Sequence, residues 1–244
     1  MTIEHMRPIF GFGSSLTPLG KRLIIIYTTI YVVELLLEHW FKIPIVAYLQ
    51  LNPLYSPDFK IWQIVTNPFI HDPYAPFGFL INTIMLYFFA TPIENALGAR
   101  RFLILFYFAG LGSVIFGLAF SLVPGFNMPF MGMLPSLLAL LVVFGLLNPE
   151  ATILLMFILP VKAKYLSYGT VLITGLTFLA KANSYGAYHL GGILFGFLYF
   201  KGPKQLFDSK LTYLRCLKWQ LKRKRAGFRV IDGDKDNGDK PTYH

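Results

Sequence analysis

A succession of apolar runs, divided by short clusters of Pro, Gly and basic residues, constrains this chain more than any other feature. The hydrocarbon layer of a bilayer is ~30 Å thick and an α-helix rises ~1.5 Å per residue, so a crossing needs about 20 mostly apolar residues. Windows that reach or approach this length run from Arg22 to Trp40, Phe77 to Ile93, Phe102 to Val123, Leu134 to Leu147, Tyr165 to Ala180 and Tyr185 to Phe200. Of the 244 residues 55% are hydrophobic and 14% charged, too little polar surface to enclose so much apolar side chain in water. The sequence therefore predicts an all-α membrane protein whose residues 22 to 201 form one bundle of six transmembrane helices. A segment 1–21 precedes it and a basic tail, 202–244, follows. No small-residue cleavage site follows the first run, which predicts that it stays inserted.

Two segments do not fit the helical pattern. Ala151 to Leu159 is apolar but too short to cross and is closed by Pro160, so it reads as an interfacial or partly buried stretch. The connection from Phe41 to Pro76 is rich in Pro and aromatic residues and poor in charge. It predicts a loop lying in the membrane interface, with Trp40, Tyr48, Tyr55, Trp62 and Tyr74 as anchors at headgroup depth.

Lys and Arg set the orientation. One side holds Arg7, Lys21, Arg22, Arg100, Arg101, Lys162, Lys164 and the tail; the other holds only Lys42, Lys60 and Lys181. An even number of spans then places both termini in the cytoplasm. The tail carries eleven of the 22 Lys and Arg, and Phe207 to Arg223 reads as an amphipathic basic helix on membrane lipids. No nucleic acid is expected at such a juxtamembrane cluster. The Asp-rich residues 232–239 lack the terminal glutamate of a calcium loop.

The ionisable groups within the spans are few. Glu34 and Glu38 sit toward the outer end of the first span and read as reaching the interface, while Glu94 reads as a partner of Arg100 or Arg101. The single cysteine, Cys216, excludes intrachain disulfides and multi-thiolate metal sites. No metal and no cofactor is implied. A channel or transporter is disfavoured by the shortage of charged groups along the spans.

Several ordered segments resemble the rhomboid superfamily, over about residues 22 to 201. They are Trp62 to His71; Asn82 with Met85 to Phe89; Pro92 to Phe102; Leu146 to Asn148-Pro149; Pro160 to Tyr165; and Tyr188-His189-Leu190-Gly191-Gly192-Ile193-Leu194-Phe195-Gly196. The resemblance implies a six-span rhomboid-like bundle and places the family's catalytic serine at Leu134, its histidine at His189, and its oxyanion positions at Gly78 and Asn82. Pro135 stands where a glycine would follow the serine, which removes a backbone N–H donor. Leu134 has no nucleophile and Gly78 no donor, so the resemblance points to a pseudoprotease that binds transmembrane segments of client or partner proteins, or serves as a subunit of a membrane complex.

Ser136 is the fallback nucleophile, and an intramembrane serine endopeptidase using Ser136 and His189 is the alternative reading. On a helix, however, Ser136 is turned by ~200° from Leu134. His189 otherwise has two other readings, as a hydrogen-bonding group between helices or as a contact for a ligand or partner. Gly191, Gly192 and Gly196 read as helix-packing residues on the last span, where small side chains let backbones approach. The compact core without added domains suggests a bacterial inner membrane. The oligomeric state stays open.

Overall fold

The computed structural model describes residues 16–123, 128–155, 159–180 and 185–202. Apolar helices stand at all six windows: α1 (Pro18–Leu35), α4 (Pro76–Leu97), α5 (Ala99–Ser121), α6 (Leu134–Leu147), α7 (Ala163–Leu179) and α8 (Tyr185–Lys201). Two short helices, α2 (Ile45–Leu49) and α3 (Gln63–Thr66), lie in the loop between α1 and α4. Apart from Leu16 to Lys21 and Gly202, the segment 1–21 and the tail lie outside the described residues, as do Lys181 and Cys216.

Local chemistry sets the helix ends. Thr17 caps α1 by accepting the Gly20 N–H, and Pro18 fills a first-turn position that needs no donor. α1 continues as a π-helical turn, Leu36–Trp40. Gly98 ends α4 and starts α5 with φ at +86°, a conformation open to glycine, so the chain reverses without a loop.

Three helices are long and apolar enough to cross a membrane: Pro18–Trp40, Pro76–Leu97 and Ala99–Ser121. The other three are shorter. α6 has 14 residues, eleven of them buried, and packs against α4, α5, α7 and α8. At ~1.5 Å per residue it rises only about 21 Å. An apolar window looks the same whether its helix meets lipid or is wrapped by neighbours, so window reading does not separate a full crossing from a shorter central helix.

Close backbone approach joins the helices around α6. A Cβ on Gly192 would lie 2.6 Å from Pro135 Cβ and 2.8 Å from its carbonyl oxygen, and one on Gly196 would lie 2.6 Å from Ala139 Cβ. A Cβ on Gly191 would meet the Gly112 carbonyl of α5 at 2.7 Å. On the α7 side, the Ser167 hydroxyl sits against Gly145 and within 3.1 Å of the Leu141 and Ala163 carbonyls. Without a hydrophobic drive between helices in lipid, such close contact and buried hydroxyl bonds supply the attraction.

One element departs from the all-α expectation. The run Ala151 to Leu159 enters an antiparallel hairpin, β1 (Thr152–Leu155) paired with β2 (Leu159–Lys162), with Thr152 opposite Lys162 and Ile153 opposite Val161. Glu150 clips its base through ion pairs with Lys162 (2.8 Å) and Lys164 (2.6 Å). These two lysines hold the exposed Glu150 carboxyl down to about 2.

Candidate functional site

The loop between α1 and α4 is organised from within. Gln63 is fully buried: its Oε1 accepts the N–H groups of Asn52 and Lys60, and its Nε2 donates to the Tyr48 and Asp58 carbonyls. Trp62 Nε1 donates to the Tyr48 carbonyl and Thr66 Oγ1 to that of Leu49. The ring of Trp40, 80% exposed, and those of Tyr48, Tyr55, Trp62 and Tyr74 face outward. The loop is also stitched to the residues before α6. Leu51 and Phe130 exchange backbone hydrogen bonds at 2.8 Å, and Gly132, at φ +104°, donates its N–H to the Asn67 carbonyl at 2.9 Å.

The positions singled out by resemblance are spread over α4, α6 and α8. Leu134 opens α6 half-buried, and Pro135 in the first turn presses its ring and carbonyl on Gly192. The Ser136 hydroxyl faces the opposite neighbour: a Cβ on Gly110 of α5 would lie 3.1 Å from it. His189 lies one turn before Gly192 on α8, with its ring against Phe130 (6.1 Å between centroids) and Tyr185 (6.5 Å). Among the described residues the His189 ring makes aromatic contacts, and no side-chain hydrogen bond joins it to the Ser136 hydroxyl. Gly78 is exposed on the first turn of α4, with only Ala75 Cβ within 4 Å of where its own Cβ would stand, and Asn82 is half-buried one turn later.

Buried polar chemistry gathers elsewhere. Tyr27, Tyr31 and Glu34 fall at i, i+4 and i+7, one face of α1. Glu34, 2% exposed, accepts the His71 N–H on Oε2 at 3.1 Å, so it does not reach the interface as its place in the sequence suggested. A backbone donor 37 residues away holds the carboxylate inside. His71 is 4% exposed, ringed by Tyr27, Tyr31 and Phe79 at near right angles, and its Nδ1 lies 3.2 Å from the Phe69 carbonyl. Burial holds the His71 imidazole down to about 4, hence neutral at neutral pH. Tyr31 adds a bond from its hydroxyl to the Asp72 carbonyl.

The sequence reading named His71 only as the end of the Trp62 to His71 segment, with no role of its own, and misplaced Glu34. The signal available was the polar stripe of Tyr27, Tyr31 and Glu34 along an otherwise apolar span, since a carboxyl inside a span requires a partner. Glu94 also departs from expectation. It is buried, one carboxylate oxygen has no partner, and no ion pair joins it to Arg100 or Arg101. Those arginines begin α5 beyond the Gly98 turn, exposed. Among the described residues no group of three His, Cys, Asp or Glu could hold a metal ion.

A family model described as "Eukaryotic integral membrane protein (DUF1751)" matches residues 21–205, nearly the whole described region. No curated protein matches the chain. The family's description overturns the bacterial inner membrane suggested by the lack of added domains; membrane integration itself stands. Bundle size carries no information about compartment, because the same hydrocarbon thickness selects the same helix lengths in either kind of cell.

Proposed function

This chain belongs to the eukaryotic integral membrane protein family DUF1751, and from that premise we propose that it is a rhomboid-like, six-span pseudoprotease that works without catalysis. In this reading it binds transmembrane segments of client or partner proteins, alone or as a subunit of a membrane complex, with both termini and the Glu150 hairpin in the cytoplasm of a eukaryotic cell. One observation carries the reading: at the start of α6 the chain holds Leu134 and Pro135, with Pro135 wedged on Gly192 and the Ser136 hydroxyl directed to α5. Acyl transfer needs a nucleophile in reach of its base and donors for the oxyanion. Loss of one such donor costs ~100 to 1000-fold in rate, and neither Gly78 nor the Pro135 nitrogen supplies one.

What the arrangement offers instead is surface for helices. α7 exposes Leu172, Ile173, Leu176 and Leu179, each more than half accessible, to lipid or to a neighbouring span. Photo-crosslinking residues at Leu172 and Leu176, tested in native membranes, should give discrete protein adducts. A fluorophosphonate serine probe should leave the native chain unlabelled and label a Leu134→Ser/Pro135→Gly variant. Adducts with lipid alone would remove the support for client binding. Labelling of the native chain that is lost in Ser136→Ala would establish the endopeptidase instead.

A further inference from the structure

We propose that the hairpin of β1 and β2 is a membrane-binding element, lying in the headgroup region of the leaflet at the Glu150 end of the bundle, where Lys162 and Lys164 meet lipid phosphate. This goes beyond the function proposed above and does not depend on it. The sequence supplies the first reason: from Ile153 to Val161 no residue carries a charge or a hydroxyl. Successive strand residues belong to opposite faces, so a hairpin with one face on protein and one in water reads as apolar and polar in turn. Here the alternation is missing, and water suits neither set of register positions.

The bundle serves only one of the two sets. Ala151 and Ala163 at the hairpin base are buried in the core, and Ile153, paired with Val161, packs against it. The other set begins with the polar pair Thr152 and Lys162 and continues with Leu154 opposite Pro160, which is exposed. The Ala163 N–H bonds the Ala151 carbonyl at 2.8 Å, so by the alternation of an antiparallel ladder the bonded pairs include Ile153 with Val161 and Leu155 with Leu159. Pro160 therefore takes an edge-facing position, where its missing N–H removes a donor that would otherwise have to be satisfied outside the ladder. Open sheet edges do not occur in hydrocarbon, which limits the hairpin to interfacial depth, where water and headgroups serve the remaining edge groups.

The surroundings select lipid as the occupant. The hairpin joins the end of α6 to the start of α7, so both of its ends are tied to helices of the membrane bundle. Tyr165 and Tyr168, 59% and 64% exposed in the first turns of α7, are of the residue type that settles at headgroup depth, and Lys164 Nζ lies 5.3 Å from the centre of the Tyr165 ring. Two lysines share the single Glu150 carboxylate, which leaves a net positive charge, and each ammonium has donors beyond the one it gives to Glu150. Lipid phosphate complements that charge and accepts from those donors, while the acyl chains beneath it take the apolar positions.

Nitroxide labels on Pro160→Cys and Leu154→Cys test the proposal, each in a full chain that also carries Cys216→Ser, in nanodiscs of phosphatidylcholine and phosphatidylserine. Power saturation compares collisions with oxygen, which concentrates in lipid, and with a nickel chelate, which stays in water. The ratio of oxygen to nickel collisions at both labels should exceed that of a label on the exposed Arg101→Cys by at least about threefold. A ratio equal to that at Arg101 puts the hairpin in water and overturns the proposal. Few collisions with either probe would mean that protein, not lipid, encloses the labels, which overturns it equally. Pro160 gives no backbone hydrogen bond, so its replacement leaves the ladder intact, and the Leu154 label reads the same register pair from the other strand.

Discussion

The seam between α6 and α8 and the junction between α1 and its following loop solve the same problem, holding backbone together inside a membrane, by opposite means. At the seam the contact is dry and small: Gly192 against Pro135, Gly196 against Ala139. At the junction the contact is polar: the Glu34 carboxylate, the His71 amide and the Tyr27 hydroxyl, shielded by rings. The sequence resemblance directs attention to the start of α6, beside this seam, where Pro135 packs on Gly192. Glu34 and His71, two buried ionisable groups, meet at the junction, where the resemblance contributes only the segment that ends in His71.

The comparison breaks first at the seam. Gly192→Leu forces a side chain into the Pro135 carbonyl and should cost ~3 kcal/mol or more, at the upper end for overpacking because backbone has to move. Thermal unfolding in detergent should show it, while Gly78→Leu, with open space around it, should shift stability by less than ~0.5 kcal/mol. Equal effects would mean that the seam is not tightly packed.

Acid should act at the junction next. His71 has an ordinary value of 6.5 when unfolded and about 4 when folded, so its stabilisation is complete above pH 6.5 and is lost as pH falls toward 4. The full shift corresponds to roughly 3 kcal/mol. The native chain should lose stability across that window by more than His71→Phe does, and parallel pH profiles would dissociate His71 from the effect.

Smaller changes sharpen the contrast. Glu34→Leu leaves the His71 N–H buried without an acceptor, at ~1 to 3 kcal/mol. Hydrogen exchange should then quicken at His71 and Gly132 before it does in α6, and a uniform increase would argue against a local junction. Ser167→Ala removes the hydroxyl between α6 and α7 and should cost only ~0.6 kcal/mol, read by the same thermal unfolding. A loss as large as that of Gly192→Leu would place polar bonding, not close packing, at the centre of the bundle.

How much was legible follows from how local each feature is. α6 is bounded by the residues read from sequence, Leu134 and Leu147, because the Pro135 and Asn148-Pro149 punctuation flanks an unbroken apolar run. α1 starts four residues earlier than read, since the Thr17 cap and Pro18 were outweighed by Lys21 and Arg22 in hydropathy. The Ala151 to Leu159 run gave a length too short to cross but not its pairing, because a short apolar run has no period that separates strand from buried turn. Glu34 was misplaced for a different reason: nothing within a few residues of it reveals that the His71 amide would be its donor.

The sequence by itself determined that this is a helical membrane chain, where its apolar helices stand, and that Leu134, Pro135 and Gly78 lack the groups that acyl transfer requires. Those are properties of residue type and of neighbours a few positions apart, and hydrocarbon thickness converts them directly into structure. The tertiary structure alone decided that α6 is wrapped by four helices, that Ser136 turns to α5, and that Glu34 and His71 are buried together. Each of these depends on which surfaces meet across long loops, and a buried polar group is stable only where folding brings its partner to it.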